Sequence, residues 1–212
     1  MLDVHPPHHA PSTWRDFFLH IVTITIGLLI ALALEAGAEA IHHHHLVLEA
    51  RENIRHELEQ NRKDAAKDLV SIATDEASMK ANLVIVRTLL SDPKAFDGKT
   101  LRLDFDWSGG SQSAWISARD SGALLYMPTA EVQRYADVYD QQNIVNHEAV
   151  DLFTHQSDLA APMVSYTNGN LAIPPAEKHS LLHDIAIVAL RLETLRQLTE
   201  PLDKQYTDTL SK

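Results

Sequence analysis

Between Phe17 and Leu34 the chain reads FFLHIVTITIGLLIALAL, eighteen residues without a formal charge, whose only polar members are His20, Thr23 and Thr25. At 1.5 Å per residue such a helix covers about 27 Å, close to the hydrocarbon thickness of a bilayer, and it satisfies its own backbone where water is absent. Trp14 and Arg15 precede the run, an aromatic and a cation of the kind that settle at headgroup depth. The segment reads as a membrane-spanning helix whose pattern continues to Ile41. Two other readings use the same residues. A buried helix of a soluble protein is disfavoured, because a domain of this size seldom needs a helix apolar all round. A cleaved signal peptide would use Ala36-Gly37-Ala38, but the apolar run is longer than the usual signal core and Glu35 lies just before the site. Gly27 and Ala31 form a small-xxx-small pair of the type that lets membrane helices approach closely.

Working outward, residues 1–16 form a short tail, 17–41 the spanning helix and 42–212 the body. Across all 212 residues 18 Lys and Arg face 29 Asp and Glu, a net charge of −11, so no basic surface stands ready for nucleic acid. Residues 40–212 hold 17 of the basic and 25 of the acidic residues, so the body is itself acidic and is repelled by anionic headgroups. Arg15 on one side of the span and Arg51 and Arg55 on the other do not decide topology. The absence of Cys removes disulfides, thiolate nucleophiles and Cys-ligated metals. Seven Gly and nine Pro are too few for a turn-rich β fold.

The body reads as helical. Leu58, Ala65, Ile72, Met79 and Val86 recur every seven residues, with Leu69, Leu83 and Leu90 as a second row and a mixed-sign polar face between them. No Gly or Pro interrupts residues 41–91, and Ser91-Asp92-Pro93 reads as a stop. Asp97-Gly98 and Gly109-Gly110 bracket an irregular connection containing Leu101, Leu103 and Phe105, where a short strand would have no evident partner. Helical pattern resumes over Ser113–Tyr126, then from about Ala130 to Ala160. A last helix runs from about Ala176 to Leu210, its core stripe formed by Ile185, Val188, Leu192, Leu195, Leu202 and Tyr206, with Pro201 as a potential kink. The fold class is therefore all-α, an N-terminal transmembrane helix followed by an antiparallel helical bundle with long helices. Trp115, Leu124, Leu125, Tyr135 and Tyr139 read as packing residues, with Gly122 allowing a bend.

Three stretches also carry a resemblance. IGLLIALALE (Ile26 to Glu35), SAWISARDSGALLYMPTAEVQRYADVYDQQ (Ser113 to Gln142) and the N-terminal HPPHHAPSTWRDFF resemble a group of uncharacterised bacterial single-span proteins. In that group a membrane helix ending in I-G-x-L-I-A-L precedes a helical domain. The domain carries a large residue, a Ser/Thr-Gly pair and a Tyr-rich helix. The counterparts here are Trp115, Ser121-Gly122, and Tyr135 with Tyr139. The resemblance implies a single-pass inner-membrane envelope protein and supplies no activity. Related tails are often strongly basic, which puts the body in the periplasm; this tail has Arg15 alone.

Histidine is the only candidate for chemistry. His147, Asp151 and His155 fall at i, i+4 and i+8 on one helix, and His179 and His183 at i, i+4 on another. Facing each other, they would make a His-carboxylate site for zinc or another divalent ion. Solvent-facing or hydrogen-bonded histidines are the alternative, as they are for the His42–His45 run beyond the span, an interfacial feature open to pH-dependent lipid contact. No His-Glu-x-x-His sequence, nucleophile elbow or phosphate loop is present, and Asp104 and Asp106 read as solvated loop residues. No catalytic residue and no cofactor is assigned. The partners implied are the lipid bilayer and, through the span and the heptad stripe, further copies of the chain; a protein partner is not identified.

Overall fold

A computed structural model describes residues 13–92, 101–165 and 175–211. The His5, His8 and His9 cluster and the Asp97-Gly98 turn lie outside them. The chain divides into two units, residues 1–49 and 50–212. Four α-helices follow in order: α1 Trp14–Ser91, α2 Ser113–Asp120, α3 Thr129–Ser165 and α4 Pro175–Leu210, with a 3-10 turn, η1 Ala123–Tyr126, before α3. There is no strand among the described residues.

In the first unit α1 holds the apolar run, and every residue from Thr13 to His42 is exposed. The helix is long and apolar enough to cross a membrane, and none of its most apolar window is covered by protein. Thr23 donates its hydroxyl to the Leu19 carbonyl (2.8 Å), satisfying within the helix a group that lipid could not. Trp14 stacks on Phe17, with centroids 5.5 Å apart, and meets Phe18 edge-on at 5.3 Å, forming an aromatic cluster at the start of the run.

In the second unit α1, α3 and α4 form the bundle. Buried positions alternate by three and four: Leu58, Asn61, Ala65, Asp68, Ile72, Asp75, Met79, Asn82, Val86 and Leu89 on α1; Val138 to Leu159 on α3; Leu181 to Tyr206 on α4. All six residues of the expected α4 stripe are buried, joined by Leu181 and Thr199. α4 continues as helix through Pro201. Arg51 pairs with Glu131, Glu57 with Tyr139 and Asn61 with Gln142, so α1 and α3 run in the same direction. Glu148–Arg191 and Gln142–Tyr206 show that α4 runs against α3. α4 therefore also runs against α1, which it meets at Arg196–Glu76.

Residues 101–112 therefore take the descending leg between two ascending helices. Asn82 bonds Arg102 and Asp68 bonds Ser108, so six residues match fourteen helical ones. Fourteen residues of α-helix rise about 21 Å, which six residues cover only when fully extended, at about 3.5 Å each. Burial agrees: Leu101, Leu103, Phe105 and Trp107 are half-buried while Arg102, Asp104, Asp106 and Ser108 are exposed, the period-two alternation of a strand. Phe105 and Trp107, two residues apart, stack on one side at 6.4 Å.

The Ser113–Tyr126 region is two pieces, α2 and η1, separated by Gly122 at φ +79, the bend expected there. Trp115 stacks on Tyr139 (5.4 Å) as a packing residue should. Leu125 does not pack; it is 83% exposed at the η1 corner.

Candidate functional site

An extended segment wedged between helices has no neighbouring strand to pair with, so its N–H and C=O groups must be met by side chains or left unpaired at a cost. α1 meets this need with a row of short polar residues spaced by seven, Asn61, Asp68, Asp75 and Asn82, each at most 6% exposed. This row is the fully buried second seam of α1. The sequence pointed instead to Leu69, Leu83 and Leu90, which are only half-buried. They lie one position round the helix from the seam, and the seam is polar because it faces backbone.

The rungs follow from side-chain chemistry. An Asn amide offers a donor and an acceptor and can imitate a strand neighbour. Asn82 accepts the Arg102 N–H (3.1 Å) and donates to the Arg102 carbonyl (2.7 Å). Asn61 does the same at Ser111, at 2.9 and 2.7 Å. A carboxylate only accepts, and Asp68 takes two N–H groups, Ser108 at 2.8 Å and Gly109 at 3.1 Å. Burial pushes the Asp68 carboxyl above its usual range, against the pull of those two N–H groups.

α3 closes the other side. Gln142 donates to the Ser111 carbonyl (3.0 Å), Asn146 to that of Gly110 (3.4 Å), and Gln156 to those of Leu103 and Asp104. The Gln142 carbonyl oxygen accepts from Asn61 (3.0 Å) and from the Tyr206 hydroxyl (2.7 Å), so all three helices meet at one amide. Gly110 makes room for it: a Cβ there would lie 2.5 Å from the Gln142 Cδ. At the segment's end Glu57 accepts the Ala114 N–H at the start of α2 (2.9 Å), the Ser111 hydroxyl (2.8 Å) and the Tyr139 hydroxyl (2.7 Å). Burial first, and Glu57 second, push the Tyr139 phenol far above its ordinary range.

Asp75 is the incomplete rung. Its Oδ2 is buried without a hydrogen-bond partner, although the residue is 6% exposed. Desolvation, with Asp104 and Asp106 adding repulsion, pushes its carboxyl up to about 6. Asp104 and Asp106 are exposed, as expected of loop residues, and Asp106 lies 3.5 Å from Lys67.

A second polar site lies where α3 begins and α4 ends. Arg51 grips Glu131 through two bonds of 2.7 Å, holding that carboxyl below the usual range. Arg55, Arg134, Tyr135, Thr209 and Leu210 also line this cleft of about 360 Å³. The arginines share this cleft with Thr209 and Leu210 of the last turn of α4, the end of a helix at which the dipole favours cations.

The histidines are placed apart from these networks. His147, His179 and His183 are exposed and His155 is half-buried. Asp151 turns one oxygen toward Arg191 at 3.9 Å. Among the described residues no three His, Asp or Glu side chains converge to hold a metal ion. In the first unit His42, His44 and His45 are exposed, and His43 lies 3.8 Å from Glu39 one turn earlier.

No protein-family model, curated protein or solved structure matches the chain.

Proposed function

We propose that this chain is a single-pass membrane-anchored helical-bundle module of the bacterial cell envelope, serving structure, interaction or sensing. One observation carries the anchor: α1 opens with an apolar run that none of the described residues buries. Twelve of its eighteen residues are Phe, Leu, Ile or Val, each worth about −0.3 to −0.6 kcal/mol on transfer into the bilayer centre, or about −4 to −7 kcal/mol together. Left in water, the same surface would drive aggregation.

The body supports an interaction or scaffolding role better than catalysis. Among the described residues, five of the seven buried polar side chains, Asn61, Asp68, Asn82, Gln142 and Gln156, fix one extended segment against two helices. The proposal places the anchor in the inner membrane and the body in the periplasm, in line with the resemblance of the span and of the Ser113–Gln142 region.

Topology is tested on a chain that has no native thiol. In the full chain carrying Ser157→Cys, an exposed α3 position, a membrane-impermeant maleimide should label intact cells with a permeabilised outer membrane. Labelling that requires lysis of the inner membrane would reverse the assignment.

A further inference from the structure

The outer face of α1 carries a second heptad row that none of the described residues buries. Lys63, Ala66, Val70, Ala73, Ala77, Lys80, Val84 and Arg87 recur at alternating steps of three and four, and all are exposed. Val70 and Val84 are 69% and 62% exposed, and Val70, Ala73 and Ala77 line one side of an open groove of about 820 Å³. Such spacing is the signature of a helix seam, yet the internal seam of α1 lies on another face. The row carries no exposed carboxylate, and among the described residues neither Lys80 nor Arg87 makes an ion pair.

α3 shows the complementary surface. Asp137, Asp140, Ile144, His147, Asp151, Thr154 and Asp158 follow the same alternating steps on its outer face, and all are exposed. Ile144, the one large apolar residue of this row, is 53% exposed. α3 has no exposed Lys or Arg among its described side chains. Lys80 and Arg87 are seven residues apart, and so are Asp151 and Asp158. Placing those pairs side by side sets small Ala73 against large Ile144, the alternation that helix packing favours.

We propose that the outer face of α1 docks on the outer face of α3 of a second copy of this chain, as a head-to-tail contact. Two observations select this occupant. Pairing α1 with α1 would oppose Lys80 and Arg87 to like charges, whereas the chain's own α3 supplies acids at matching spacing. Direction also agrees. α1 and α3 run parallel within the second unit, so two such bodies standing side by side in the same orientation present α3 parallel to a neighbour's α1. The contact is heterologous, which builds a ring or an open row rather than a two-fold dimer. The shared orientation rests on the membrane-anchor reading; the facial complementarity does not.

The test uses the full chain in native membranes, with two differently tagged copies. Ala73→Cys on one and Ile144→Cys on the other should cross-link to each other on mild oxidation, and the Ala73→Cys chain should cross-link poorly to itself. Adding Lys80→Glu with Arg87→Glu should cut the yield about tenfold, as two surface attractions become repulsions. Asp151→Lys with Asp158→Lys should do the same, and both reversals together should restore it. All four sites are surface positions; Asp151 also lies 3.9 Å from Arg191, which keeps Glu148 at 3.0 Å, and unchanged circular dichroism and thermal midpoints verify the fold of each variant. Dominant Ala73→Cys self-cross-linking, absence of any product, or failure of the combined reversal to restore it would overturn the proposal. Recovery of the chain in the soluble fraction would overturn the anchor instead, and the same cross-linking on that soluble chain would still decide the docking.

Discussion

Replacing Asn61 by Ala tests the polar seam where it is most connected. The change removes the acceptor of the Ser111 N–H and the donor to the Ser111 carbonyl and to Gln142. The Ser111 carbonyl keeps Gln142, and Gln142 keeps Tyr206, so the group left unpaired is the Ser111 N–H. The part-buried orphan donor costs about 1 kcal/mol, the low end of the usual range, and each of the two other lost hydrogen bonds about 1 kcal/mol net, which together give about 3 kcal/mol. Leu83→Ala truncates a larger, apolar side chain in the half-buried row. Because a fully buried Leu→Ala costs about 2–5 kcal/mol, it should cost only about 1–2 kcal/mol. The assay is urea unfolding of the detergent-solubilised full chain, followed by far-UV ellipticity. With a slope of about 2 kcal/mol per molar, Asn61→Ala should lower the midpoint by about 1.5 M and Leu83→Ala by less than 1 M. The reverse order would refute the claim that α1's second seam is polar and bonded to residues 101–112.

Asp75→Asn should stabilise the body at neutral pH. Its folded carboxyl is raised to about 6 from 3.8. The native state therefore binds the extra proton between those values, and stability is fully present below 3.8 and is lost as pH rises through about 6. The variant's advantage, at most about 3 kcal/mol, should appear in thermal midpoints at pH 7.5 and vanish near pH 4; equal midpoints at pH 7.5 would refute the incomplete rung. Gly110→Ala should cost about 2–4 kcal/mol, because its Cβ displaces Gln142 from three partners; hydrogen exchange at Ser111 should accelerate in parallel, and an unaltered exchange rate would contradict it. Leu29→Arg, mid-span, should cost about 3–4 kcal/mol of insertion and move a measurable fraction of the chain out of the membrane pellet, whereas Val84→Arg, on the body, should not.

The helices were legible because their signals are local. Uninterrupted helical pattern from residue 41 to Ser91, the seven-spaced Leu58 row and the α4 stripe each depend on nothing beyond their own segment. The extended leg was not, because its partners are side chains about 20 to 50 residues away in sequence. Both halves of the signal were present: LRLDFDWS alternates with period two, and Asn61, Asp68, Asp75 and Asn82 recur with period seven. What joins them is a coincidence of lengths, since one heptad of helix and three extended residues both rise about 10 Å. An apolar search passes over that row and settles on Leu69, Leu83 and Leu90 one position away. Leu125 misled for a related reason: its spacing fits a helix face, but Gly122 turns the chain before that face is built. The histidine pairs were correctly placed on helices, but spacing along two helices does not fix which way each face turns.

The most direct test of the membrane-anchor reading is sedimentation of the intact chain after cells are broken without detergent, followed by an alkaline carbonate wash. The account predicts that the chain stays in the pellet through the wash and leaves it only with detergent. Recovery in the supernatant, with the 17–34 segment still attached, would contradict it.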